Sequence, residues 1–203
     1  MLPPDMSISV PGQSRGRALA LPNVLTYARI VAVPVVVALL FWPNEPWMRW
    51  TALGVFVAAA ITDFLDGYLA RALSQQSSMG RMLDPIADKL LVSAVIVMLS
   101  ADGTITSWSL WAGIVILCRE ILVSGLREFL AELKVSVPVS RVAKWKTTLQ
   151  LIALGFLIAG RAGDLVLPGT TRLGLGLLWV AAILTFYTGW DYLKAGWKHV
   201  ADE

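Results

Sequence analysis

Asp63 and Asp66 stand three residues apart, and Asp84 and Asp88 four apart, each pair within an apolar stretch. Spacings of three and four put both members of a pair on one helical face. On a helical wheel Gly67 and Ala70 fall within about 40° of Asp63, so the acidic stripe is also a small-residue stripe where a bulky group can approach the backbone. An ionised Asp at the centre of a membrane helix costs about 2.5–3.5 kcal/mol. Four together would be driven to take up protons unless cations shared their charge. Hard divalent ions with oxygen ligands suit such a set. Cys118 is the sole cysteine and His199 the sole histidine, which favours Mg²⁺ or Mn²⁺ over Zn²⁺ or copper. The competing readings are a proton relay or coupling-ion path of a small transporter, or helix-to-helix hydrogen bonding.

These carboxylates would need elements that cross lipid. Of 203 residues 57% are hydrophobic and 15% charged, nine are Trp, and mean hydropathy is +0.68. A span takes roughly 20 mostly apolar residues. The apolar runs predict six helices, near 21–41, 47–73, 82–100, 108–130, 142–160 and 173–197, with breakers at 43–46, 74–78, 102–103, 135–138 and 163–169. The expected fold is all-α: a polytopic membrane protein with six transmembrane helices and an intramembrane active site open to the cytoplasm. The loop 74–78 would make a hairpin of the second and third helices and bring both acid pairs to one cleft. Residues 1–20, with Pro, Gly, Ser, Arg15 and Arg17, read as a cytoplasmic segment retained in the mature protein, and 21–203 as one membrane domain.

All Lys and Arg residues except Arg49, Arg161 and Arg172 fall on the side of the N-terminus in this topology. That bias places both termini in the cytoplasm. Trp42, Trp47, Trp50, Trp108 and Trp111 collect at the opposite face as an interfacial belt. Asp63 lies 16 residues from Trp47, about 24 Å along a helix, so the acids belong to the cytoplasmic half of the bilayer.

Read continuously, the acidic segment is Asp-x2-Asp-Gly-x2-Ala-Arg-x8-Gly-x3-Asp-x3-Asp, with Asp63, Asp66, Gly67, Ala70, Arg71, Gly80, Asp84 and Asp88 in the defined positions. This resembles the signature of the CDP-alcohol phosphotransferase family at all eight positions and all spacings. The likeness covers nearly the whole chain. Pro22-Asn23-Val24-Leu25-Thr26-Tyr27-Ala28-Arg29, Arg119-Glu120, Ser124-Gly125-Leu126-Arg127-Glu128 and Lys144-Trp145-Lys146-Thr147-Thr148-Leu149-Gln150 resemble segments of the bacterial branch that forms phosphatidylglycerophosphate. Ala143 departs from that pattern, which has glycine there.

The resemblance implies transfer of a phosphatidyl group from CDP-diacylglycerol to glycerol 3-phosphate, with CMP released. It implies two divalent cations, Mg²⁺ or Mn²⁺, held by Asp63, Asp66, Asp84 and Asp88, with Asp88 as general base. Asp66, Gly67, Ala70, Arg71, Gly80, Thr26 and Arg29 would meet the CDP-lipid; Arg29 has a second reading as a snorkelling residue at the end of the first helix. Arg119 lies deep in the fourth helix, and Glu120 leaves the helix about 100° away, so Arg119 would take a phosphate as partner. Arg141, Lys144 and Lys146 would complete that cradle, or simply anchor the cytoplasmic end of the fifth helix. The expected setting is the bacterial inner membrane, with membrane lipid around a homodimer and no nucleic-acid partner. Rival readings keep the family but change the acceptor to an inositol phosphate, serine or phosphatidylglycerol, or replace the enzyme by a cation-coupled transporter.

Overall fold

The computed structural model describes residues 21–73, 78–132 and 141–200; for 21–23, 64–73, 78–81, 84, 131–132, 141–144, 191–193 and 195–200 it describes the helical backbone alone. The expected cytoplasmic segment 1–20, most of the loop 74–78 and the breaker 135–138 lie outside the described residues. Among the described residues six helices follow one another: α1 Leu21–Leu40, α2 Pro46–Leu73, α3 Ser78–Ala101, α4 Ser109–Glu132, α5 Arg141–Val166 and α6 Thr170–Val200. No strand occurs among the described residues. A backbone in lipid must satisfy its own polar groups, which leaves the helix as the form open to such apolar runs. Three stretches, Ser109–Leu130, Trp145–Val166 and Thr170–Trp190, have the length and apolar character to cross a membrane, and Val24–Leu40 is a shorter apolar helix.

The helix ends depart from hydropathy in several places. α3 starts at Ser78 rather than 82, α6 at Thr170 rather than 173, and α5 runs on past 160 to Val166. Backbone hydrogen bonding carries a helix beyond its greasy window, so polar residues at the ends join it. The α5–α6 turn is consequently short. The Asp164 carboxylate accepts from the N–H of Gly169 and Thr171, both at 3.1 Å, and from Thr171 Oγ1 at 2.5 Å. One side chain at the end of α5 thus caps the opening turn of α6.

α1 packs along both α2 and α3, and α6 along both α5 and α4, while α5 joins the two groups through α2 and α3. Val36, Phe56, Val95, Leu99, Leu154, Leu157 and Leu178 are buried where these helices meet. Gly174 permits the close approach of α6 to α5, since a Cβ there would lie 2.9 Å from Leu157 Cδ2. In lipid, where helix association depends on packing, small residues at such contacts are the expected device. Val31, Val97, Ile121, Ile183 and Phe186 are exposed on the outside, as are Trp42, Trp47, Trp50, Trp108 and Trp111.

At that Trp-rich end a cation is buried. Arg49 is 1% exposed and donates from Nη1 to Asp102 Oδ2 (2.9 Å) and Pro43 O (3.4 Å), from Nη2 to Thr104 Oγ1 and Leu157 O (both 3.1 Å), and from Nε to Ile158 O (2.9 Å). The two α5 carbonyls come just before Gly160, whose φ of 44° and ψ of −125° break the helical course. Glycine alone tolerates that conformation readily, and a Cβ on it would sit 2.6 Å from Arg49 Nη2. Positive-inside counting registers Arg49 as one misplaced charge; in the fold it ties α2, the α3–α4 loop and α5 together.

Candidate active site

Asp63 lies ten residues before the end of α2 at Leu73, and Asp88 ten residues after the start of α3 at Ser78. Each is therefore about 15 Å along its helix from the connection between them. Arg29 of α1, 1% exposed, forms an ion pair with Asp63, with Nη1 2.7 Å from Oδ1; the Asp63 side chain is 43% exposed. Asp88 is within electrostatic reach of both Asp63 and Arg29. Thr26, one turn before Arg29, is also buried at 1% exposure. Among the described residues α2 and α3 hardly touch each other, so the wall joining the two acids is α1, which packs on both. A snorkelling Arg29 is thereby corrected: its guanidinium turns inward because a carboxylate offers a charged partner there.

Asp63 and Asp88 are the members of the acid quartet described in full. Asp66, Gly67, Ala70 and Arg71 lie on α2, and Gly80 and Asp84 on α3, with their side chains outside the described residues. Among the described residues no three His, Cys, Asp or Glu side chains gather as a metal site. Carboxylate oxygens, supplied from two helices by Asp63 and Asp88, are the donor type a hard dication takes.

A second charged group comes from α4, α5 and α6. Glu120 Oε1 accepts from Arg119 Nη1 at 2.9 Å and also from Lys146 Nζ. Arg119 Nη2 donates to Thr188 Oγ1 at 3.4 Å. The stem of Arg119 lies over Gly189, where an added Cβ would be 3.0 Å from Arg119 Cγ. Lys146 is 2% exposed, which sets aside its reading as an interfacial anchor. Arg141 and Lys144 are on the first turn of α5, their side chains outside the described residues. The two charged groups form one field: Asp88 is within electrostatic reach of Glu120 and Lys146.

Arg119 and Glu120, expected to diverge by about 100° around the helix, are instead paired in the fold. Both side chains have several rotatable bonds, enough to curl around the helix and meet although their Cβ atoms diverge. Glu120 is the functional candidate that sequence reasoning passed over, although it stood beside Arg119 in the quoted segment. Thr188 and Gly189 carried no sequence signal, because a Thr-Gly step in a greasy helix is ordinary.

Residues 19–187 match the family model for CDP-alcohol phosphatidyltransferase. The chain is 50% identical over 179 residues to a Rickettsia bellii protein, covering 88% of this chain and 96% of that one. It is 38% identical over 217 residues to a Cereibacter sphaeroides protein, covering 91% and 98%. With an Arabidopsis thaliana protein it shares 38% identity over 201 residues, covering 93% and 84%. The two bacterial proteins are named CDP-diacylglycerol--glycerol-3-phosphate 3-phosphatidyltransferase, and the plant protein carries the same name with the suffix 2. The chain belongs to the CDP-alcohol phosphatidyltransferase family.

Proposed function

We propose that this family member transfers the phosphatidyl group of CDP-diacylglycerol to sn-glycerol 3-phosphate, giving phosphatidylglycerophosphate and CMP. The observation that carries the reading is the presence of two charged groups inside one helical bundle: Arg29 and Asp63, with Asp88 in their electrostatic reach, and Arg119, Glu120 and Lys146. The first suits a diphosphate with its cations. The second suits a small phosphorylated alcohol, and the names of the relatives favour that acceptor.

Asp63, Asp66, Asp84 and Asp88 would hold two divalent cations, Mg²⁺ or Mn²⁺. When bound, these ions neutralise the diphosphate and polarise it toward attack. Thr26, Arg29, Asp66, Gly67, Ala70, Arg71 and Gly80 receive the CDP-lipid, the small residues giving the nucleotide room and the arginines pairing with phosphate oxygens. Arg119 and Lys146, with Arg141 and Lys144, bind the acceptor's phosphate and so aim its hydroxyl at the lipid-side phosphorus. Asp88 takes the hydroxyl proton as the new P–O bond forms. The bond from that phosphorus to the bridging oxygen breaks, and CMP leaves with the electron pair.

The same reading makes 21–203 the catalytic domain, with six spans, both termini in the cytoplasm and the site in the cytoplasmic half of a bacterial inner membrane. Two copies would form a homodimer. Purified protein in lipid nanodiscs, given CDP-diacylglycerol and each of glycerol 3-phosphate, an inositol phosphate, serine and phosphatidylglycerol, tests the activity by CMP release and product mass. Product with glycerol 3-phosphate is expected; product solely with another acceptor refutes the acceptor assignment.

A further inference from the structure

We propose that Glu120 is the positioning residue of the acceptor cradle, a single carboxylate that holds Arg119 of α4 and Lys146 of α5 in register for one phosphate. This rests on the reading of Arg119 and Lys146 as the acceptor's phosphate ligands. α4 and α5 both pack on α6 but hardly touch each other among the described residues. The Lys146–Glu120–Arg119 bridge therefore spans the space between two walls that have little else in common.

Two cations brought together in a low-dielectric interior repel each other. A shared anion removes that repulsion while using one N–H of each: Arg119 gives Nη1, and Lys146 one of its three donors. The Lys146 and Arg119 side chains are 3% and 14% exposed, so neither has bulk water as an alternative partner. Thr188 takes Nη2, and the Gly189 backbone supports the stem of Arg119. A long lysine and arginine fixed in advance lose less conformational freedom when the phosphate arrives. The consequence belongs to acceptor affinity. The Glu120 carboxylate is engaged by Arg119 and Lys146, so its loss should bear first on the acceptor.

Initial rates in nanodiscs, with each substrate varied in turn, are measured for the wild type, Glu120→Gln, Glu120→Asp, Lys146→Met and the Glu120→Gln/Lys146→Met pair, with thermal midpoints for each. Glu120→Gln is expected to raise the glycerol 3-phosphate KM by about tenfold, the scale of one misplaced charge-assisted hydrogen bond. Its KM for CDP-diacylglycerol stays within about twofold. Glu120→Asp falls between, and Glu120→Gln adds less once Lys146 is Met, because the clamp then holds Arg119 alone. An unchanged acceptor KM overturns the proposal, as does a parallel loss in kcat, both KM values and thermal midpoint, the pattern of a merely structural residue. If Glu120→Gln does not fold, the acceptor KM of Glu120→Asp decides in the same way. A wild type inactive with glycerol 3-phosphate, or a Lys146→Met variant of normal acceptor KM, overturns the cradle reading and this proposal with it. A Lys146 effect without a Glu120 effect overturns this proposal alone.

Discussion

Replacing Arg49 by Leu removes a cation from a place where everything around it has been arranged for one. The Asp102 side chain, 4% exposed, loses its ion pair, and the carbonyls of Leu157 and Ile158 lose their side-chain donor. Breaking one partner of a buried pair costs about 3–5 kcal/mol, chiefly because the remaining charge is left without compensation. Stranded carbonyls contribute further, but they share the same guanidinium and do not add independently. The expected loss is therefore about 4 kcal/mol, on the order of a thousandfold in the folding equilibrium. Reversible unfolding in mixed micelles of lipid and SDS, followed by Trp fluorescence, reads it directly. The double variant Arg49→Leu/Asp102→Leu should recover most of the loss, since removing both charges also removes the desolvation cost. A single variant within about 1 kcal/mol of wild type would refute the reasoning, because that is the value of an exposed ion pair.

Three further tests address the site. Gly189→Ala places a methyl group 3.0 Å from Arg119 Cγ; the arginine must shift, and the acceptor KM should rise by roughly three- to tenfold with the CDP-diacylglycerol KM unchanged, as measured by CMP release. Chelator should abolish turnover, with Mg²⁺ or Mn²⁺ restoring it in the wild type. Asp88→Asn should stay inactive at any metal concentration while retaining CDP-lipid binding by equilibrium dialysis; near-normal turnover would remove Asp88 from its role as base.

Helix number and order were legible because lipid leaves few options: an apolar run near 20 residues long reads as a helix whatever its detailed sequence. Helix ends were less so. The continuation of α5 past Gly160 depends on Arg49, more than a hundred residues away in the chain, receiving the carbonyls at the kink. The placement of Asp63 and Asp66 on one helix and of Asp84 and Asp88 on the next was legible from the apolar runs around them. What surrounds them was not. Arg29 comes to Asp63 through tertiary packing of α1, and Glu120 reaches across to Lys146 on a different helix. Both contacts depend on the reach of long side chains, which a helical wheel omits.

The burial of Arg29 has a bearing on biogenesis. α1 offers a short apolar stretch, Val24–Leu40, and carries its arginine near the leading end. Alone in hydrocarbon, that guanidinium would find no counter-charge until Asp63 emerged from the ribosome some thirty residues later. Within the fold α1 meets that need from the next helix along the chain, where Asp63 of α2 takes up the guanidinium.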